Sequence, residues 1–169
     1  VGMDVVRDAV EQAGGKIALA STFGQGTTLR LSLPLSMAVT RVMTVMQDGR
    51  LFGIPMDMVL ETVKLPRADV TRIKTAEAFL LRDSIVPLRH LATLLELPPA
   101  SPQPDEISVL VARAAGQIFG LGISSFGEVM EVILKPMDGI LSRITGYSGS
   151  CLLGDGKVML VLDLKALLS

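Results

Sequence analysis

One histidine, His90, one cysteine, Cys151, and a glycine turn, Phe23-Gly24-Gln25-Gly26, are the places where this chain of 169 residues could hold chemistry. A single imidazole and a single thiol cannot supply a closed metal site, so no metal is expected. His90 stands in Leu88-Arg89-His90-Leu91 at the end of an apolar strand and reads as a structural or solvated side chain. Cys151 reads as a small buried hydrophobe, and a lone cysteine suits a reducing compartment. Gly24 and Gly26 lie between two strand-like runs, where glycine supplies the positive φ of a hairpin turn. A dinucleotide fingerprint would instead open a helix. No catalytic residue emerges.

The bulk numbers narrow the classes further. Sixteen basic residues against seventeen acidic ones leave a charge of -1, and aromatics make up 4%. Without a basic block or stacking side chains, nucleic-acid binding is not expected. The chain is 49% hydrophobic with a mean hydropathy of +0.51. Its apolar stretches are broken well before the roughly 18 residues of a membrane span, so no membrane insertion is expected. Strands buried on most sides, or a surface reserved for a protein partner, must use the apolar excess. The first residue is Val1 and no signal peptide follows, which reads as a piece of something longer.

The elements that position these residues change character along the chain. Met3, Val6, Ala9, Val10 and Ala13 recur at helical spacing, and Gly14-Gly15 ends the helix. Lys16–Thr22 and Thr27–Leu33 read as strands joined by the glycine turn. This piece is too small for its own core, so residues 1–34 read as the end of an α/β sandwich, with Pro34 as boundary. Orphaned apolar faces there predict self-association through residues 1–33.

Residues 35–169 show short apolar strands between turns at Asp48-Gly49, Arg82-Asp83-Ser84, Ala115-Gly116 and Gly154-Asp155-Gly156. A proline-rich surface connection, Pro98 to Pro104, divides them. The two sides repeat, about 41–97 and 106–169. Asp48-Gly49-Arg50-Leu51-Phe52-Gly53-Ile54 parallels Ala115-Gly116-Gln117-Ile118-Phe119-Gly120-Leu121. Leu80-Leu81 parallels Leu152-Leu153. Two copies of hairpin, strand, insert and hairpin predict two small five-stranded β-barrels, so the chain is mainly β. Arg41 to Met46 is apolar on both faces, more than one barrel interior uses. One face, through Val42, Met43, Thr44 and Met46, is a candidate partner contact. Packing of both faces within the protein is the even alternative.

Val1-Gly2-Met3-Asp4-Val5-Val6 and Gly24-Gln25-Gly26-Thr27-Thr28-Leu29-Arg30-Leu31 resemble the lid end and last glycine box of the ATPase domain in chemotaxis histidine kinases of the CheA type. Phe52-Gly53-Ile54-Pro55, Ile85-Val86-Pro87-Leu88, Tyr147-Ser148-Gly149 and Leu153-Gly154-Asp155-Gly156 resemble the CheW-like regulatory domain that follows it. The resemblance implies a pair of five-stranded SH3-like barrels after an ATPase remnant. In an intact kinase it implies ATP and magnesium, with Gly2, Met3, Gly24, Gly26 and Thr27 lining the nucleotide site. This piece lacks most of that machinery, so no cofactor is expected in it. The implied partners are a CheW-type coupling protein, in alternating rings of barrels, and the cytoplasmic tip of a chemoreceptor. The implied place is the cytoplasm, at membrane receptor arrays, with Leu29–Leu35 as a stiff connector between ATPase sheet and barrels. Rival classes are an autonomous phosphotransfer enzyme and a small-barrel nucleic-acid binder.

Overall fold

Turn chemistry and strand alternation decide most local structure in the computed structural model, which describes residues 2–12, 14–33, 39–98, 104–137 and 139–168. The chain divides into two compact units, Val1–Ala38 and Val39–Ser169. Pro34, the end of the Leu29–Leu35 connector, and residues 99–103 of the proline-rich stretch lie outside the described residues.

In the first unit a helix, α1 (Met3–Gln12), precedes the antiparallel strands β1 (Lys16–Thr22) and β2 (Gly26–Ser32). The Gly14 amide donates to the Glu11 carbonyl and the Gly15 amide to that of Val10, with Gly14 at φ 73°. This pair of reversed bonds closes a helix end, and glycine adopts the required φ without a Cβ clash. Val10 is buried. A side chain on Gly15 would meet the Ser32 carbonyl at 2.7 Å, so glycine also allows helix and hairpin to approach. Leu19, Leu29, Leu31 and Leu33 remain exposed.

Among its described residues the second unit holds eleven strands: β3 (Val39–Gln47), β4 (Arg50–Pro55), β5 (Val59–Pro66), β6 (Val70–Ile73), β7 (Ala76–Leu81), β8 (Ser84–His90), β9 (Glu106–Ala114), β10 (Gln117–Ile123), β11 (Ser125–Ile133), β12 (Tyr147–Leu152) and β13 (Val158–Leu162). One short helix, α2 (Leu91–Leu94), follows β8, and another, α3 (Leu164–Leu167), follows β13. The β3–β4 turn holds Asp48 and Gly49 at φ 49° and 72°; the β9–β10 turn holds Ala115 and Gly116 at 49° and 77°. Two successive positive φ values give the tight hairpin turn whose twist matches that of the strands. The halves thus correspond element by element.

Their pairing does not respect the halves. One sheet runs β5-β9-β10-β8-β7-β6 and the other β11-β3-β4-β13-β12. Each half therefore lends its first hairpin to the sheet of the other. The expectation of two closed five-stranded barrels needs correction: the sheets have six and five strands, and neither is closed by a ladder among the described residues. In the second sheet the edges meet at one bridge, Lys135 with Ser150, joined by two hydrogen bonds of 2.8 Å. Pro136 follows immediately, and a residue without an amide hydrogen cannot continue the ladder. Pro66 ends β5 in the other sheet.

The exchange creates three cores. Val109 and Val111 of β9 join Leu65, Phe79, Val86 and Leu88 inside the first sheet. Val42, Val132, Cys151, Met159 and Val161 fill the second. Between the sheets, the opposite faces of the exchanged hairpins meet: Val45, Phe52 and Ile54 from one, Leu110, Ala112, Phe119 and Leu121 from the other, with Leu91 and Leu164 of the short helices. Strands buried on both faces read as nearly unbroken apolar runs. That geometry accounts for the apolar excess.

Candidate docking surfaces

The alternation of β7–β8 leaves one apolar pair outside the core. Leu80 and Ile85 are cross-strand partners, 64% and 68% exposed. At the corresponding place on β12–β13, Leu152 and Val158 are partners, 71% and 66% exposed. Directly opposed apolar side chains form one small contact patch. Each pair sits beside a polar fastening. Arg82, in the turn after Leu80, donates to the Glu61 carboxylate of β5 at 2.8 Å. Asp155, in the turn after Leu152, accepts from the Lys157 amide at 3.1 Å and meets its ammonium at 3.0 Å. The hydrogen bond from the Lys157 side chain holds the Asp155 carboxyl below its ordinary value.

A groove of ≈ 590 Å³ beside the β3–β4 turn adjoins the second pair, since Val158 also lines it. Met46, Leu51, Leu95, Leu97, Tyr147 and Leu160 make its apolar walls, and Arg50, Asp155 and Lys157 stand among the other residues that line it. An apolar trough edged by charge suits the apolar face of a helix.

The structure distributes the residues singled out in the sequence unequally. Val42 is fully buried inside the second sheet, and Thr44 is 2% exposed. The Thr44 hydroxyl donates to the Glu128 carbonyl at 2.9 Å, within the register shift between Phe126 and Val129 of β11. A side chain on Gly127 would collide with that hydroxyl. These two residues are internal because β3 is flanked by β11 and β4 and covered on both faces, which corrects the expected four-residue contact row. Met43 is half-buried against the core between the sheets, and Met46 alone lines the groove.

In the first unit, Gly24 at φ 76° and Gly26 at φ 108° shape the β1–β2 turn. The Thr27 hydroxyl lies 2.9 Å from that of Ser21. The Gly2 carbonyl accepts from the Val6 amide at the start of α1, and Met3 is exposed. His90 pairs through Nε2 with a Glu77 carboxylate oxygen at 2.7 Å, both half-buried. Among the described residues, no cluster of metal-ligating side chains occurs. None of their helices is long and apolar enough to cross a membrane.

The exposed pairs were missed in the sequence, although a signal exists. Leu80-Leu81 and Leu152-Leu153 put two apolar residues in succession beside a turn, and strand alternation forces one of each pair outward.

The fold is a two-sheet module in which each half contributes strands to both sheets. The chain belongs to the CheW-like domain family, whose model matches residues 41–169. Among solved structures it resembles the scaffolding protein TtCheW of Thermoanaerobacter tengcongensis, with a TM-score of 0.65 and 18% identity over 77% of this chain and 92% of that one. Among curated proteins it is 34% identical to the chemotaxis protein CheA of Halobacterium salinarum and 29% identical to that of Bacillus subtilis, in each case over 99% of this chain and 25% of the relative. It is also 29% identical to the sensor histidine kinase CheAY of Helicobacter pylori, over 99% of this chain and 21% of that protein. The chain thus spans about a quarter of the length of these relatives. Their similarity extends through the first unit, beyond the CheW-like match.

Proposed function

We propose that this chain is the docking part of a CheA-type chemotaxis histidine kinase, a scaffold that joins a CheW-type coupling protein and a chemoreceptor to kinase activity. The observation that carries the reading is the pair of matched apolar patches, Leu80 with Ile85 and Leu152 with Val158, on corresponding hairpins of the two sheets. Two such patches on one body give two binding ends, as a scaffold that alternates with its partner requires. Each end takes the sheet of a CheW-type protein. The groove with Met46 takes the helical cytoplasmic tip of a receptor. The work takes place in the cytoplasm at receptor arrays.

The first unit is then the end of an ATPase domain. In an intact kinase Gly2, Met3, Gly24, Gly26 and Thr27 face ATP and its magnesium; the remaining walls of that pocket belong to other parts of such a protein. The exposed leucines of β1 and β2 are the faces that the rest of the ATPase sheet covers. Uncovered, they favour self-association, which deletion of residues 1–33 removes and light scattering reads.

Titration calorimetry with a CheW-type coupling protein tests the docking. Burying an aliphatic side chain is worth about 1.5–3 kcal/mol, and about two-thirds of each remains to be buried here, so one pair supplies roughly 2–4 kcal/mol. Ile85→Asp and Val158→Asp should each remove one of two binding ends, and the double variant both. Full binding by a folded double variant would refute the assignment.

A further inference from the structure

A cavity of ≈ 730 Å³ in the second unit lies beside α2 and shares Leu97 alone with the lining of the groove described above. Its volume falls in the range of small-molecule sites, about 300–1,000 Å³. Leu97, Ile107 and Ile123 supply apolar wall, and Gln47, Arg67 and Arg72 supply polar groups.

Gln47 is the telling residue. It is 5% exposed at the end of β3, yet its amide has no hydrogen-bond partner among the described residues. Since no sealed side-chain polar atom among the described residues lacks a partner, and Gln47 lines the cavity, its amide opens there rather than into packed interior. A buried primary amide normally has its donors and acceptor satisfied, and one that opens into a cavity can meet a polar ligand in place of water. Arg72 likewise makes no ion pair or hydrogen bond among the described residues. Arg67 donates only through Nε, to the Pro104 carbonyl at 3.4 Å, which leaves its two terminal nitrogens. Two carboxylates also line the cavity: Glu77, held through one oxygen by His90 Nε2 at 2.7 Å, and Glu96, which is exposed.

Each guanidinium group with spare donors presents a planar fork that matches a carboxylate, and two such groups line this cavity. An open amide lining the same cavity can both give and accept, as a peptide group requires. We propose that this cavity binds a carboxylate carried on an apolar body next to an amide. Arg67 and Arg72 take the carboxylate oxygens, and Gln47 takes the amide. An N-acyl amino acid and the free C-terminus of a polypeptide share this chemistry.

The test follows the side-chain resonances of Gln47, Arg67 and Arg72 in the labelled full chain. The probes are N-acetyl-L-leucine, its methyl ester, a short peptide ending in leucine, and the same peptide amidated. Saturable shifts are expected with the acid or the free-ended peptide, and binding about tenfold weaker or worse with the ester, with the amidated peptide, and in the variants Arg72→Gln and Gln47→Leu. Arg72 is exposed, so its replacement leaves the fold intact and decides the matter even where Gln47→Leu does not fold. A free-ended peptide binding about tenfold more tightly than the small acid identifies a polypeptide terminus as the source, and parity identifies a free acid. No saturable shift with either, or equal binding of the neutral probes, overturns the site.

Discussion

Gly53 and Gly120 occupy equivalent positions in the exchanged hairpins, and the same substitution should act differently at each. An added Cβ at Gly120 would lie 2.5 Å from Cε1 of Phe79 and 2.8 Å from Cγ1 of Val109. Carbon atoms prefer about 3.5–4.0 Å, and both neighbours are sealed in the core of the first sheet. Overpacking of this kind costs about 1–3 kcal/mol, of which the reduced freedom of the unfolded chain returns about 0.4–1 kcal/mol. At Gly53 the new atom would stand 3.2 Å from the terminal methyl of Met159 and from Cγ2 of Val161. The flexible methionine end can yield by a few tenths of an ångström, and the Val161 methyl has to give no more than that. Gly120→Ala should therefore destabilise the second unit by about 1–2 kcal/mol, and Gly53→Ala should be within about 0.5 kcal/mol of neutral. Urea unfolding followed by circular dichroism measures both. Equal midpoints for the two variants would refute the claim that the rigid Phe79 ring, rather than the strand position, makes Gly120 indispensable.

Three further outcomes are expected. Thr44→Val keeps the shape of β3 but leaves the Glu128 carbonyl unpaired at the irregular point of β11, and should cost about 1 kcal/mol in the same unfolding assay. The Asp155 carboxyl should titrate below an ordinary aspartate in an NMR pH series, and Lys157→Met should return it upward. A carboxyl depressed in the folded chain favours the fold above its unfolded value, and that contribution fades as pH falls through the folded one. Burial pushes the Cys151 thiol up, so it should resist an aromatic disulfide reagent in the native chain and react promptly once denatured; fast native labelling would contradict its place inside the second sheet.

The amino-acid sequence by itself determines the local devices. The Gly14-Gly15 stop of α1, the β1–β2 hairpin and the turns at Asp48-Gly49 and Ala115-Gly116 follow from helical spacing, strand alternation and positive φ, all of which act between near neighbours. The internal repeat is equally plain, since it compares one stretch of chain with another. Tertiary structure alone decides which hairpin joins which sheet. Equivalent hairpins carry the same alternation and turns, so exchanging them leaves every local pattern unchanged, and only the packing of whole sheets tells the arrangements apart. From that exchange come the burial of Val42 and Thr44, the second buried face of β3, and the meeting of Gln47 with Arg67 and Arg72 around one cavity.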